Sequence, residues 1–351
     1  MLASVTHFLP VTLIRRRRLL PAPGKVVIRK GQKVSATDVI AEANLAPEHI
    51  LLDLVRGLGM AADKTDEAIQ VRAGDEVGTG DVVAGPVGIA RRVVRAPKNG
   101  RIVVAGNGQI LMQSDSQPFE LKAGIPGTVV ELFDGRGAEI EASGALIQGT
   151  WGNGKIDFGM LNVLMRSPQD DLTMDRLDVS QRGSIILGGM LKDEEVLNMA
   201  AEIPLRGMIL SSMDSTLVDR AMKMRFPVLL VEGFGSIPMN TAAFKLLSTS
   251  DKREAAVNAE QLDRYSGSRP EVVIPLPSSG EMPAPKEAEV FAPGQKVLLT
   301  GFIRKASPIG TITAVRGLMT LESGVRTRAA EVELEGGERT VVPLSNLEVL
   351  D

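Results

Sequence analysis

The chain has 351 residues, enough for two or three domains with separate cores, and 44% of them are apolar while only 3% are aromatic. Its net charge of −3 conceals a basic first third and an acidic remainder. With no cysteine and only His7 and His49, disulfides, thiolate metal sites, Fe–S clusters, cysteine nucleophiles and multi-histidine chemistry all lose their parts.

An oxygen-only metal site or a carboxylate-based enzyme stays open, yet no catalytic residue set, metal ligand set or cofactor site stands out. The core must be aliphatic, and 36 glycines with 20 prolines imply many turns and short strands. In "MLASVTHFLPVTLIRRRR" the apolar residues precede the charges, the reverse of a signal peptide. No apolar run of about 18–20 residues occurs, so a soluble, cytoplasmic chain without membrane insertion is expected.

The "RRRR" at 15–18 is expected to form an exposed edge strand or arm, because a buried unpaired arginine is prohibitive. From there to residue 122 short strands alternate with glycine turns. "GKVVIRKGQKVSATDVIAEA" (24–43) and "EAIQVRAGDEVGTGDVVAGP" (67–86) share one pattern, placing Gly31 against Gly74 and Asp38 against Asp81. Between them "PEHILLDLVRGLGM" (47–60) has helical spacing. "RRVVRAPKNGRIVVAGNGQILMQ" (91–113) adds two hairpin signals.

The glycine–aspartate repeat and the "APKNG" unit resemble the barrel-sandwich hybrid fold of biotinyl and lipoyl domains. Similar units occur in proteins where no lysine is modified, so the resemblance implies a fold rather than an activity. A β-rich domain of this kind is expected over 12–165.

From 184 the period changes. "SIILGG", "RGMILSS" and "FPVLLVEGFG" read as strands, and "KDEEVLNMAAEI", "DSTLVDRAMKM" and "NTAAFKLLSTS" as helices, with Asn240 capping the last. "REAAVNAE" reads as a further strand. This alternation predicts a small parallel α/β domain over 183–268. The strand–helix run is also similar to swivelling domains of phosphotransfer enzymes, but those need a histidine and none follows His49. The prolines of 269–293 predict an extended linker.

Residues 294–351 predict a five-stranded SH3-like barrel. The pattern from Gly294 through Ser307-Pro-Ile-Gly310 to Val342-Pro343-Leu344 resembles KOW-type domains of ribosomal proteins and transcription elongation factors. The fold class is thus mixed: an all-β sandwich hybrid, a central α/β domain and a C-terminal β-barrel.

Four motifs invite chemistry. "AMKM" (221–224) is similar to the biotin attachment tetrapeptide, but an acceptor lysine sits at a β-hairpin tip and Lys223 falls in a helical pattern. "GTWGNGKI" (149–156) fits a P-loop until Ile156 replaces the Mg²⁺-binding hydroxyl residue, so a glycine turn on a sheet edge is expected. "EGFGSIPMN" (232–240) lies where a parallel strand meets a helix, the usual place for a ligand, with Glu232, Gly233, Gly235 and Asn240 as candidate contacts.

Arg304, Lys305, Arg316, Arg326 and Arg328 cluster in the C-terminal part as candidate nucleic-acid or partner contacts. Only Phe302 is near for base stacking, and Glu331, Glu333, Glu335 and Glu338 offset the charge. The favoured reading is a non-enzymatic adaptor bound to a protein or RNA partner, as on a ribosome or RNA polymerase. A sensor or enzyme using the α/β domain is the alternative, and a carrier biotinylated at Lys223 the third.

Overall fold

The computed structural model describes residues 2–45, 47–114, 118–263, 267–277, 284–286, 288–300 and 309–350. The chain is mostly β, 48% strand against 14% helix, and divides into two compact units. One comprises residues 1–19, 26–40 and 121–351; the other, residues 20–25 and 41–120, is inserted in its sequence. The β-rich span 12–165 is therefore shared between two units.

Each unit holds one copy of the repeat in the same hydrogen-bonded frame. In the outer copy Gly31 N–H donates to the Val129 carbonyl at 2.7 Å, and Val129 N–H to the Gln32 carbonyl at 2.9 Å. In the inner copy Gly74 N–H donates to Ile102, and Ile102 N–H to Asp75, both at 2.8 Å. The Asp38 and Asp81 carboxylates accept from the Ser35 and Gly78 amides, again at 2.8 Å. Gly31 and Gly74 have φ of 81° and 98°, where a side chain is strained.

The frame has a second half not apparent from the sequence pattern. Strands Gly100–Gly106 and Gly127–Phe133 are counterparts, pairing through their first glycines with Val77 and Val34. Both carry a bulge, after Ile102 and after Val129. The inner copy connects 83 to 96 by a short hairpin, whereas the outer copy connects 40 to 123 through the whole inserted unit. The helix expected over 47–60 is cut down to Leu54–Leu58, because His49–Asp53 pairs as a strand with Gln109–Ser114.

In the outer unit, strands Ile156–Val163, Ser184–Leu187, Gly207–Met213 and Val228–Phe234 run parallel as neighbours. Alternation covers both faces: Ile185, Leu187, Ile209 and Leu229 enter one core, Ile186, Met208, Leu210 and Leu230 the other. The sheet does not stop at the predicted α/β boundary. It continues through antiparallel Glu254–Asn258 and Glu271–Pro275 to Gly137–Gln148, eleven strands among the described residues.

Glu271–Pro275 lies inside the predicted linker and corrects it. Val272, Val273 and Ile274 are buried. Pro275 takes only the last position of the strand, so its missing N–H interrupts nothing within it.

The arginine strand, Phe8–Leu19, pairs along Gly137–Gln148 on one side, as an edge strand should. Its arginines are nevertheless held, and alternation gives each a carboxylate. Arg15 meets Glu141 at 2.7 Å and Arg17 meets Glu139 at 3.0 Å. On the other face Arg16 meets Glu271 at 2.7 Å and Arg18 meets Glu260 at 2.6 Å. Burial pushes the Glu260 carboxyl up, but the hydrogen bond and charge of Arg18 outweigh it and hold the group below its ordinary value.

A seven-stranded sheet contains the C-terminal strands and two unexpected members, Leu2–Thr6 and Ala288–Val290, the latter a second correction to the predicted linker. That N-terminal strand lies parallel to Leu347–Leu350, Val5 opposite Val349, and antiparallel to Ala288–Val290. Ala3 and Val5 share a buried cluster with Val297, Ile312, Val332 and Val349.

Candidate functional site

Strands Ile309–Thr320 and Arg326–Leu334 form a long antiparallel ribbon, in which directly opposed residues share a face. Ile312 opposes Val332 in the buried cluster. Farther along that face come Val315 opposite Ala330, Leu318 opposite Arg328, and Thr320 opposite Arg326. Val315 and Leu318 are 39% and 59% exposed, so the row that builds the core runs on into water.

Arg326 and Arg328 are exposed on this row, with no carboxylate partner among the described residues. Arg316 points to the opposite face, where Glu331 holds it at 2.6 Å. Arg304 and Lys305, with Phe302, lie outside the described residues. Of the five predicted basic contacts, the ribbon thus joins two, and it adds Val315 and Leu318. No strict alternation announces them in "TITAVRGLMT", because a bulge in each interval spaces Ile312, Val315 and Leu318 three residues apart.

At the carboxyl end of the parallel sheet the predicted ligand turn is a capping device. Glu232 Oε1 accepts from the Asn240 backbone N–H at 2.8 Å and from its Nδ2 at 2.7 Å. Asn240 Oδ1 in turn accepts from Ala243 N at 2.8 Å, closing the first turn of helix Thr241–Ser248. Gly233 and Gly235, with φ of 104° and 110°, carry the chain through the reversal. The turn therefore brings Glu232 and Asn240 together, but on each other. Beside them Ser211 Oγ is buried without a hydrogen-bond partner among the described residues.

Burial raises the Glu232 carboxyl above its ordinary value, against the two Asn240 hydrogen bonds that favour its ionised form. A carboxyl raised on folding costs stability as pH climbs from its unfolded toward its folded pKa; below both, the cost vanishes. Glu232→Gln keeps the acceptor oxygen and removes the charge. Its melting temperature should match the parent near pH ~4 and exceed it increasingly toward pH ~7. A difference that does not change with pH would contradict this account.

The two lysine motifs also resolve into packing. Lys223 is exposed at the C-cap of helix Val218–Met222, between exposed Met222 and buried Met224, and is not on a hairpin. The hairpin framed by the glycine repeat is Val82–Val87 with Arg92–Arg95, whose tip bears Ile89 rather than a lysine. In "GNGK" the buried Asn153 donates through Nδ2 to the Ala221 and Phe226 carbonyls and accepts from Val228 N, all at 3.0 Å. Lys155 Nζ donates to the Met222 carbonyl at 3.0 Å, and Ile156 opens a strand. A P-loop would need a helix there.

A groove of about 520 Å³ in the inserted unit is lined by Glu76, Val77, Gly78, Arg101 and Gln113. A second, of about 360 Å³ in the outer unit, is lined by Lys33, Val34, Ser35 and Phe158. Val77 with Val34, and Gly78 with Ser35, are repeat counterparts, so one frame makes both grooves. Neither assembles a nucleophile, a base and an orienting group. Among the described residues no three acidic or histidine side chains are grouped to hold a metal ion. No helix among them is long and apolar enough to cross a membrane. No protein-family model matches the chain, and no curated protein matches its sequence.

Proposed function

We propose that this chain is a non-enzymatic adaptor that docks on a macromolecular partner through the outer half of its C-terminal ribbon. The carrying observation is the row Val315, Leu318, Arg328 and Arg326, which leaves the buried cluster and ends in water. The resemblance of this part to KOW-type SH3-like barrels supports a partner on the ribosome or RNA polymerase.

The chemistry of the row favours protein over bare RNA. It pairs aliphatic side chains with two arginines and has no aromatic ring on which a base could stack. The test uses purified ribosomes and RNA polymerase. Leu318→Asp with Arg328→Glu should weaken binding to one of them at least tenfold, about 1.4 kcal/mol or more, while the melting temperature holds. Equal binding by parent and variant would sink the proposal. Binding that disappears on ribonuclease treatment and falls steeply with salt would replace protein by RNA as the partner.

A further inference from the structure

We propose that the hairpin Val82–Val87/Arg92–Arg95 of the inserted unit carries a peripheral contact for an anionic lipid surface, made by an apolar tip and an arginine collar. From Pro86 to Ala90 the hairpin has no polar side chain. Ile89 is completely exposed at its end, and Pro86 and Ala90 are exposed with it. Single exposed aliphatics are common and need no explanation. An uninterrupted apolar tip presented to water is a different case, because nothing in the hairpin's own packing uses it.

Arg91, Arg92 and Arg95 follow directly, all exposed and without a carboxylate partner among the described residues. Arg92 and Arg95 lie back along the flank, their Nη1 atoms donating to the Leu58 carbonyl at 3.5 Å and the Gly80 carbonyl at 2.7 Å. Arg91 stands next to the tip. The apolar apex therefore leads, and the positive charges sit behind it at different heights.

That order fits a planar interface, where apolar groups enter the acyl boundary and guanidiniums stay among the phosphates. An apolar wedge in a nucleic-acid minor groove is the rival occupant, and arginine or lysine would accompany it. Here the strand Val82–Val87 has neither. The contact is peripheral; no helix among the described residues is long and apolar enough to span a membrane.

The proposal is independent of the C-terminal ribbon and is tested with that ribbon intact. The full chain is sedimented with vesicles of phosphatidylcholine, with and without phosphatidylserine. Each arginine near an anionic surface strengthens binding about fivefold, so three predict a preference of about a hundredfold for the serine-containing vesicles. Ile89→Asp should abolish binding and Ile89→Trp should strengthen it. Neither should move the melting temperature, since Ile89 packs on nothing. Equal retention on neutral vesicles, or undiminished binding by Ile89→Asp, would overturn the proposal. So would loss of duplex RNA capture by that variant in a chain that never binds vesicles.

Discussion

Arg16→Met should lower the unfolding free energy by about 3–5 kcal/mol, the cost of leaving a buried carboxylate without its ion pair. Glu271, whose side chain is only 4% exposed, accepts from Arg16 Nε at 3.0 Å and from its Nη2 at 2.7 Å. The loss should appear as a lower urea midpoint followed by the fluorescence of Trp151, the only tryptophan, which pairs with Leu230 in the same sheet. The double variant Arg16→Met with Glu271→Leu should recover most of the loss, because apolar side chains of similar volume replace buried ion pairs with little penalty. A double variant no more stable than the single one would show that the pair does more than neutralise itself. By contrast Arg15→Met, at a pair more than half exposed on the arginine side, should change stability by less than about 1 kcal/mol.

Val5→Asp should have an effect of similar size, on the order of 4 kcal/mol, confined to the C-terminal sheet. Val5 is buried in an apolar cluster with Val297 and Val349, where an aspartate would lose its water. Hydrogen exchange resolves the location. Amides of Leu347–Leu350 should lose protection while those of Gly207–Met213 keep theirs. Unchanged protection of Leu347–Leu350 would mean that the N-terminal strand only decorates a sheet already complete.

The sequence revealed what depends on local chemistry. Gly31 and Gly74 stand at the same turn because only glycine holds that φ cheaply, and the aspartates repeat because each caps the next turn. Asn240 was legible as a cap for a similar reason. What depends on distant pairing was not legible. The second half of the repeat shares only an alanine and a glycine between "APKNGRI" and "AGIPGTV", since the bulged strand needs a backbone path more than particular side chains.

The strand Glu271–Pro275 was hidden by its proline neighbours, which flank the ladder without breaking it. The arginine strand misled for an electrostatic reason. Its partners Glu139, Glu141, Glu260 and Glu271 are over a hundred residues away, and no local window contains them. The motif "EGFG" could be read as a ligand turn or as packing, and Glu232 and Asn240 hydrogen-bond to each other at the helix cap. The ribbon's apolar overrun was hidden by two bulges that break the period of two, and only burial showed where the core ends.

The parallel pairing of Val5 with Val349 also sets a timetable for biosynthesis. Residue 5 is made well over 300 residues before its partner. At typical elongation rates of about 5–20 residues per second, the two are separated by tens of seconds. Until Ala288–Val290 and then Leu347–Leu350 are made, the strand Leu2–Thr6 is an apolar edge without its partners. Chains stalled before Leu347 should therefore be better clients of chaperones and proteases than chains that extend past Leu350.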